Sequence, residues 1–552
     1  MKTVGDPNYD PVRIEVYKHL FAAIADEMGV VLRKSSYSAN IKERRDYSCA
    51  LFDSHGNMIA QAAHIPVHMG AMPLSVKAAI QAFAPDIVTP AQTPLKPGDT
   101  IILNDPFRGG THLPDITLIT PVFIPDPTND PSDRVEPNNL RDPPALIGFV
   151  TSRAHHADVG GMTPGSMAIA REIYQEGLII PPVKLFNQGE LNQGVMDLIL
   201  ANVRTPDERY GDLWAQIAAN QRGVNRLLAM VVKYKVTEVT EYMQDLLAYT
   251  ERMTRHLIEE IPDGTYRFTD YLDDDGIGDT LIPITVCITI AGDEALVDFT
   301  GSAPQQQGSV NAVEAITLSA VYYVFRCLLD LDIPNNSGCL VPIHIIAPQG
   351  TVVNAMRPAA VAGGNVETSQ RIVDVLLGAM AQACPQRIPA ASQGTMNNIT
   401  IGGYTNLGNP FTYYETIGGG MGATINHNGS SAMHSHMTNT LNTPVEALEN
   451  AYPLRVLRYE IRYGSGGSGI FHGGEGICRD IQVLVDSQIS LITERRRIPP
   501  YGLAGGNPGL CGENSLFYAG EEQSLPGKGT ITVKSGSIIR IRTPGGGGYG
   551  QK

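Results

Sequence analysis

The chain has 552 residues with a formal net charge of −15, and 57 of its residues are glycine and 38 proline. That length is more than one hydrophobic core organises and predicts about two to four domains, and the glycine and proline content predicts many turns and a large β component. The acidic balance, without a dense Lys/Arg face, argues against nucleic acid as a ligand.

The first residues lack the apolar stretch of a signal peptide, and no window approaches the roughly 18 apolar residues of a membrane span. No membrane association is expected, and the location is read as cytoplasmic. The seven cysteines (49, 287, 327, 339, 384, 478, 511) are scattered, without a C-x-x-C pair. They read as free thiols.

From the N-terminus, "DPVRIEVYKHLFAAIADEMGVVLRKSS" predicts a long amphipathic helix, with Asp10 as cap and Pro11 in the first turn. "YSCALFDSHGNMIAQ" alternates around "DSHGN" and predicts a hairpin. "TIILNDPF" and "ITLITPVFI" read as strands joined by the loop "RGGTHLPD". Residues 125–144 form a proline- and acid-rich excursion with no core of its own. A strand, "ALIGFVTSRAHH", follows. Residues 206–260 read as two amphipathic helices. "PDGTYRFTDYLDDDG" opens β-rich sequence, followed by helices over "NAVEAITLSAVYYVFRCLLD" and residues 368–383. From about residue 400 the chain is glycine-rich with short strands. The expected class is mixed α/β (α+β) and multi-lobed. The expected division is 1–260 as an N-terminal α/β domain carrying the site, 261–400 as a middle α/β domain, and 401–552 as a glycine-rich C-terminal β domain.

A phosphate loop is missing: "LPGKGT" has the Gly-Lys pair without the earlier glycine or a hydroxyl residue directly after the lysine. "GSGGSG" at 464–469 fits G-x-G-x-x-G formally, but a poor helix start follows, so it reads as a turn. Neither H-E-x-x-H nor G-x-S-x-G occurs.

Three segments concentrate groups suited to metals and proton transfer. These are "KERRDYSCALFD" with Asp46, "NDPFRGGTHLPD" with Asp105, His112 and Asp115, and "SRAHHADVGG" with His155, His156 and Asp158. All lie at strand ends or in the loops after them, where binding residues are usually displayed. His112/Asp115 and His155/Asp158 share an H-x-x-D spacing that lets both groups meet one ligand. Imidazole with carboxylate suits zinc, manganese or iron. His156 faces away from its neighbour on an extended backbone and is a candidate ligand-fixing group or proton carrier. One His–Asp pair alone reads as a structural hydrogen bond, so a metal site and a polar turn both remain open on these residues.

Other features carry blander readings. Glu172 and Glu176 read as helix-surface acids that could also line the cleft. "LDDDG" reads as a solvated turn, and "ERRRIP" as an exposed or ion-paired loop. Cys49 reads as a buried thiol. His434 and His436 would share one face of a strand.

The segments "ERRDYSCALFD", "HIPVHMGAMP", "NDPFRGGTHLPDITL", "SRAHHADVGG", "REIYQEGLIIPPVKL", "IPDGTYRFTDYLDDDG", "DFTGSAPQQQGSVNA" and "TPGGGGYG" occur in that order. Together they resemble the B subunit of the ATP-dependent hydantoinase/5-oxoprolinase family, which also includes an acetone carboxylase subunit of similar size. The resemblance covers essentially the whole chain. It implies an A-type ATP-binding partner in a heterotetramer or larger assembly, with ATP used there and not bound by this chain. It implies a cyclic amide substrate (a hydantoin, 5-oxoproline or another lactam), opened here after phosphorylation. It also implies a divalent metal, zinc or manganese, possible iron included, on His112, Asp115, His155 and Asp158. Asp46, His156 and Glu176 are then the catalytic candidates. An arginine, Arg153 or Arg108, would meet a phosphate or carboxylate. The alternatives are the metal-containing subunit of a carboxylase and a non-catalytic scaffold.

Overall fold

The structure, a computed structural model, describes residues 10–62, 65–83, 94–124, 145–329 and 332–551. The excursion expected at 125–144 lies outside the described residues. The architecture is mixed α/β.

The first helix, Pro11–Ser35, begins as its sequence dictates. The Asp10 carboxylate accepts the N–H groups of Val12 and Arg13, and Ile14, Tyr17, Phe21, Ile24, Met28 and Leu32 form its buried stripe. That stripe and the helix Pro206–Tyr234 cover one face of a seven-stranded sheet. The strand order is Met58–Gln61, Tyr47–Asp53, Leu146–His155, Asp115–Phe123, Thr100–Leu103, Val183–Asn187, Glu190–Leu191. Every pairing in it is antiparallel.

Both faces of this sheet are covered. Tyr47, Cys49 and Leu51 pack towards the first helix, while Ala50 and Phe52 join the larger core on the other side. The period of two therefore sorts the side chains of the strand Tyr47–Asp53 into two sets.

A four-stranded sheet follows, ordered Ile343–Ile346, Glu294–Asp298, Ile282–Ala291, Gly264–Leu272. The helix Ser369–Ala383 packs on it, and the helix Glu314–Leu328 packs on that helix. The core around these elements is continuous with that of the first sheet.

Beyond Asn398, four strands (Pro410–Glu415, Asn398–Tyr404, Ser487–Ile492, Lys528–Val533) and five strands (Leu454–Arg462, Gly476–Val483, Ile538–Arg542, Glu513–Tyr518, Glu521–Leu525) form two sheets that share one core. The glycine-rich segments thread between these strands. A Cβ at Gly546 would stand 2.0 Å from the Met421 carbonyl oxygen, and one at Gly466 2.1 Å from that of Gly473. "GSGGSG" is thus a close backbone packing and not a nucleotide loop.

Two expectations are corrected here, and one open alternative is resolved. Asp273 of "LDDDG" is buried and accepts the Arg496 N–H at 2.6 Å, so this turn is not a solvated one. Arg495 of "ERRRIP" is buried between Asp270 and Asp374, at 2.6 and 2.7 Å. Of the two readings of its loop, exposed or ion-paired, the ion-paired one holds, with the pairs inside the protein. Glu176 follows the short 3-10 turn Ile173–Gln175 and is fully buried, not a helix-surface acid.

Candidate metal centre

The register of the central strands builds the site. Tyr47 pairs with Ala154 and Ser48 with Arg153, while Asp115 pairs with His155 and Thr117 with Arg153. The row Ser48–Arg153–Thr117 therefore lies on one face, and the row containing His155 and Asp115 lies beside it on the same face. Asp46, just before its strand, ends near this row, and its carbonyl accepts the His155 N–H at 3.0 Å.

His112 arrives from the loop before Asp115. Its Nε2 stands 3.1 Å from Asp115 Oδ1 and 3.2 Å from His155 Nδ1, and His155 Nδ1 is 3.3 Å from the same oxygen. Three donor atoms thus converge, and all three side chains are buried. For metal–ligand bonds of about 2.1 Å, neighbouring ligand atoms in tetrahedral or octahedral geometry sit roughly 3.0–3.4 Å apart. Asp115 Oδ1 makes no hydrogen bond despite complete burial. An orphaned carboxylate oxygen facing two imidazole nitrogens fits a divalent cation, and the residues present fit the expected ion.

A surrounding shell holds the cluster. The Thr111 hydroxyl donates to Asp115 Oδ2 at 2.7 Å, and His68 Nε2 lies 3.3 Å from that oxygen. His68 Nδ1 in turn meets Ser48 Oγ at 2.9 Å. The Asn365 amide contacts His112 Nε2 at 3.2 Å from a single π-helical stretch, Gly364–Thr368. Such turns are rare and frequent at functional sites. The Tyr414 ring stacks on His155 with centroids 4.6 Å apart, and the Arg44 guanidinium caps Tyr414 from 4.7 Å. Asp46, His68, Asp115, His155, Asn365 and Tyr414 all border one cavity of about 20 Å³, room for an ion or a water rather than a substrate.

Electrostatics follow the geometry. Burial opposes ionisation of Asp115, yet the neighbouring His112 and His68 outweigh it and hold the carboxyl well below its usual range. Burial pushes His155 down, against the pull of Asp115. A neutral imidazole beside an ionised carboxylate is the protonation state a metal requires.

The structure brings His112, Asp115, His155 and Asp46 together. It does not bring His156 or Asp158 with them. His156 lies on the opposite face, where its Nε2 meets Gln216 Oε1 at 2.9 Å, and burial pushes its pKa down to about 4. The role expected of it at the cluster is corrected by the alternation of the strand. The ligand role expected of Asp158 is corrected too. The chain leaves the strand after His155, and Asp158 binds Arg204 through its backbone N–H and its guanidinium, both at 2.8 Å. Asp105 pairs with Arg357.

Glu176 sits apart from the cavity lining. Its Oε1 accepts the N–H groups of Val361 and Ala362 at 2.8 and 2.9 Å, and burial pushes its pKa up to about 8. Arg153 is buried, and its Nε donates to Thr117 Oγ1 at 2.9 Å and its Nη2 to Ser75 Oγ at 2.6 Å; burial pushes its pKa down to about 10 against the attraction of the Asp115 carboxylate. Cys49 is buried as expected, which pushes its thiol up. His434 and His436 do not sit on a strand, and His436 lies 3.8 Å from Asp374, in a separate cluster.

Sequence reasoning missed His68, Asn365, Thr111 and Tyr414. His68 carried a signal, since "HIPVHMGAMP" places a histidine in an apolar run just before a helix. Asn365 and Tyr414 are more than 200 positions from the strands they serve and carry no local mark.

Comparison with known proteins gives a consistent set of relatives. The family model described as "Hydantoinase B/oxoprolinase" matches residues 10–552. An uncharacterized protein of Methanocaldococcus jannaschii is 43% identical over 98% of this chain and 91% of its own length. 5-oxoprolinase 1 of Arabidopsis thaliana is 40% identical over 98% of this chain but only 42% of its own length. The chain thus spans about two fifths of that curated 5-oxoprolinase. The crystal structure of an ATP-dependent caprolactamase from Pseudomonas jessenii superposes with a TM-score of 0.87 at 29% identity, covering 99% of this chain and 92% of that one.

Proposed function

Because the chain belongs to the hydantoinase B/oxoprolinase family, we propose that it completes the ring opening of a lactam or hydantoin whose carbonyl oxygen has been phosphorylated by an ATP-binding A-type partner. The observation that carries this reading is the buried convergence of His112, Asp115 and His155 on one point. The names of the relatives support it, since both a 5-oxoprolinase and an ATP-dependent caprolactamase act on cyclic amides. Phosphorylation of the carbonyl oxygen makes its carbon an electrophile that water can attack. After water adds, the ring nitrogen takes a proton and leaves, which breaks the C–N bond and opens the ring as an acyl phosphate, and a second water releases inorganic phosphate from it.

His112, Asp115 and His155 would hold a divalent ion, zinc or manganese, which would supply Lewis acidity and lower the pKa of water towards neutrality. The protein's own groups do the rest. His68 and Thr111 fix the second oxygen of Asp115, so its first oxygen points into the cavity. Asp46 borders the same cavity and is placed to take a proton from the attacking water. Tyr414 holds the His155 ring by stacking, and Arg44 fixes Tyr414. A cavity this small admits substrate only after the wall moves, which also excludes bulk water during the reaction.

The test is metal analysis of the purified chain with its partner, joined to an ATP-dependent turnover assay on hydantoin, 5-oxoproline and caprolactam. About one equivalent of metal, lost in His112→Ala together with ring opening, supports the reading. Full turnover in folded, partner-bound His112→Ala and Asp115→Ala would remove it, leaving a scaffold role.

A further inference from the structure

A histidine that ligates a metal almost always donates its other ring N–H to a carboxylate, a carbonyl or water, and that bond fixes the plane of the ring. The second ring nitrogen of His155, Nε2, is buried and has no hydrogen-bond partner among the described residues. His155 is covered on its face instead. The Tyr414 ring lies 14° from parallel to it, with centroids 4.6 Å apart. The main chain of His155 is tied through its N–H to the Asp46 carbonyl and through its own carbonyl to Asn40 Nδ2, both at 3.0 Å. Those bonds hold the backbone, and the stack with Tyr414 is left to set the rotation of the ring.

Tyr414 is fixed at both ends. Arg44 stands over its ring at 4.7 Å and donates to its carbonyl oxygen at 3.1 Å. At the far end the Tyr414 hydroxyl donates to Asn398 Oδ1 at 2.8 Å. The orientation of this amide follows from its neighbours. Asn398 Nδ2 meets the Ile492 carbonyl oxygen at 2.8 Å, and a carbonyl only accepts, so the amide oxygen must face Tyr414. Nδ2 also donates to Glu367 Oε1 at 2.7 Å, and the same oxygen accepts the Met396 N–H at 3.1 Å. Glu367, Asn398, Tyr414 and His155 are all buried, so water does not compete for these bonds. Burial, and after it the nearby Glu494, pushes the Glu367 carboxyl up to about 8. Glu367 belongs to the same π-helical stretch as Asn365, Gly364–Thr368. One five-residue segment thus reaches both imidazoles of the cluster, His112 directly through Asn365 and His155 through two intervening side chains.

We propose that Glu367 is a positioning residue: through Asn398 and Tyr414 it sets the plane in which the His155 imidazole meets Asp115 Oδ1. Glu367 touches neither the cavity nor the cluster, and it acts by the order it imposes on the two side chains between. Its consequence for an ion rests on the reading of His112, Asp115 and His155 as metal ligands.

The test follows two quantities in the full chain. One is the NMR signal of the His155 Cε1–H group in metal-free protein, identified by its loss in His155→Asn. The other is the affinity for zinc or manganese, measured by competition with a chelator. Tyr414→Phe keeps the stacked ring and removes only the hydroxyl. It and Glu367→Ala are each expected to move the His155 signal and to weaken metal binding about tenfold, the usual scale for losing a group that orients a ligand. Glu367→Gln keeps the accepting oxygen and should hold both quantities at the values of the unmodified chain. The double variant Tyr414→Phe/Glu367→Ala should bind no more weakly than the weaker single one, because both break the same chain of contacts. Asp158→Ala is the control for stability alone: its thermal midpoint should fall while the signal and the affinity stay. An unmoved signal and unchanged affinity in Tyr414→Phe would overturn the proposal, whether or not Glu367→Ala folds. Additive losses in the double variant would overturn it too, as would a Glu367→Gln chain as impaired as Glu367→Ala. A chain that binds no metal, yet whose His155 signal moves in Tyr414→Phe and Glu367→Ala and returns in Glu367→Gln, would uphold the positioning role and sink the metal reading.

Discussion

His68 Nε2 lies 3.3 Å from Asp115 Oδ2, on the carboxylate oxygen that does not face His112 and His155. One carboxylate is thereby shared between three imidazoles, and the fourth contact to it is the Thr111 hydroxyl. His68 orients Asp115 rather than joining the convergent set. Removing such a partner typically costs 10–100-fold in metal affinity. His68→Ala is therefore expected to weaken metal binding by about that factor, measured by competition with a chromophoric chelator. Unchanged affinity would mean that Thr111 alone holds the carboxylate.

Asp158 predicts the opposite pattern. It is fully buried, and it accepts the Arg204 backbone N–H and guanidinium and the Gly160 N–H. Asp158→Ala leaves these donors without an acceptor, at a cost of about 1–3 kcal/mol in unfolding free energy. Metal content should stay at the level of the unmodified chain. A variant that keeps its denaturation midpoint but loses metal would restore Asp158 to the ligand set.

These two residues show what could be read in the sequence and what could not. The period of two in "SRAHH" correctly predicts that His155 and His156 face apart, but not which of them faces His112. That choice is made by register, Asp115 against His155, and register is a pairing between segments about 40 positions apart. The H-x-x-D spacing brought His112 and Asp115 together because a tight turn links them. The same spacing misled at Asp158, because there the chain leaves the strand and Arg204 takes the carboxylate. Secondary structure was legible wherever local chemistry fixes it, as at Asp10 and Pro11. The burial of Arg495 was not, although ion pairing was one of the two readings of its loop, since its partners Asp270 and Asp374 come from distant elements.

Glu176 makes stability depend on pH in a defined direction. Its folded-state pKa is raised from an ordinary 4.5 to about 8, first by burial and against two backbone N–H donors. Between those values the folded chain holds a proton that the unfolded chain has released. Stability from this group therefore falls as pH rises through the window and is undiminished below it. Glu176→Gln keeps an acceptor for Val361 and Ala362 but cannot ionise. The difference in urea midpoint between the variant and the unmodified chain should move in favour of the variant from pH 5 to pH 8. Parallel pH profiles in the two chains would show that Glu176 does not titrate in this range.

Metal removal should be visible in stability as well as in turnover. Asp115, His112 and His155 crowd lone pairs around one orphaned oxygen, a costly arrangement when nothing lies between them. A ligand that binds only the folded chain stabilises it by about 2.7 kcal/mol at a hundredfold excess over its dissociation constant. Adding zinc or manganese to chelator-treated protein is therefore expected to raise the thermal midpoint by several degrees. Asp158→Ala should start lower and gain the same increment, because its defect lies outside the cluster. His112→Ala should gain little, because the convergent set is broken. An equal gain in His112→Ala would show that the ion binds elsewhere, and differential scanning fluorimetry of the three chains, each with and without metal, separates these outcomes.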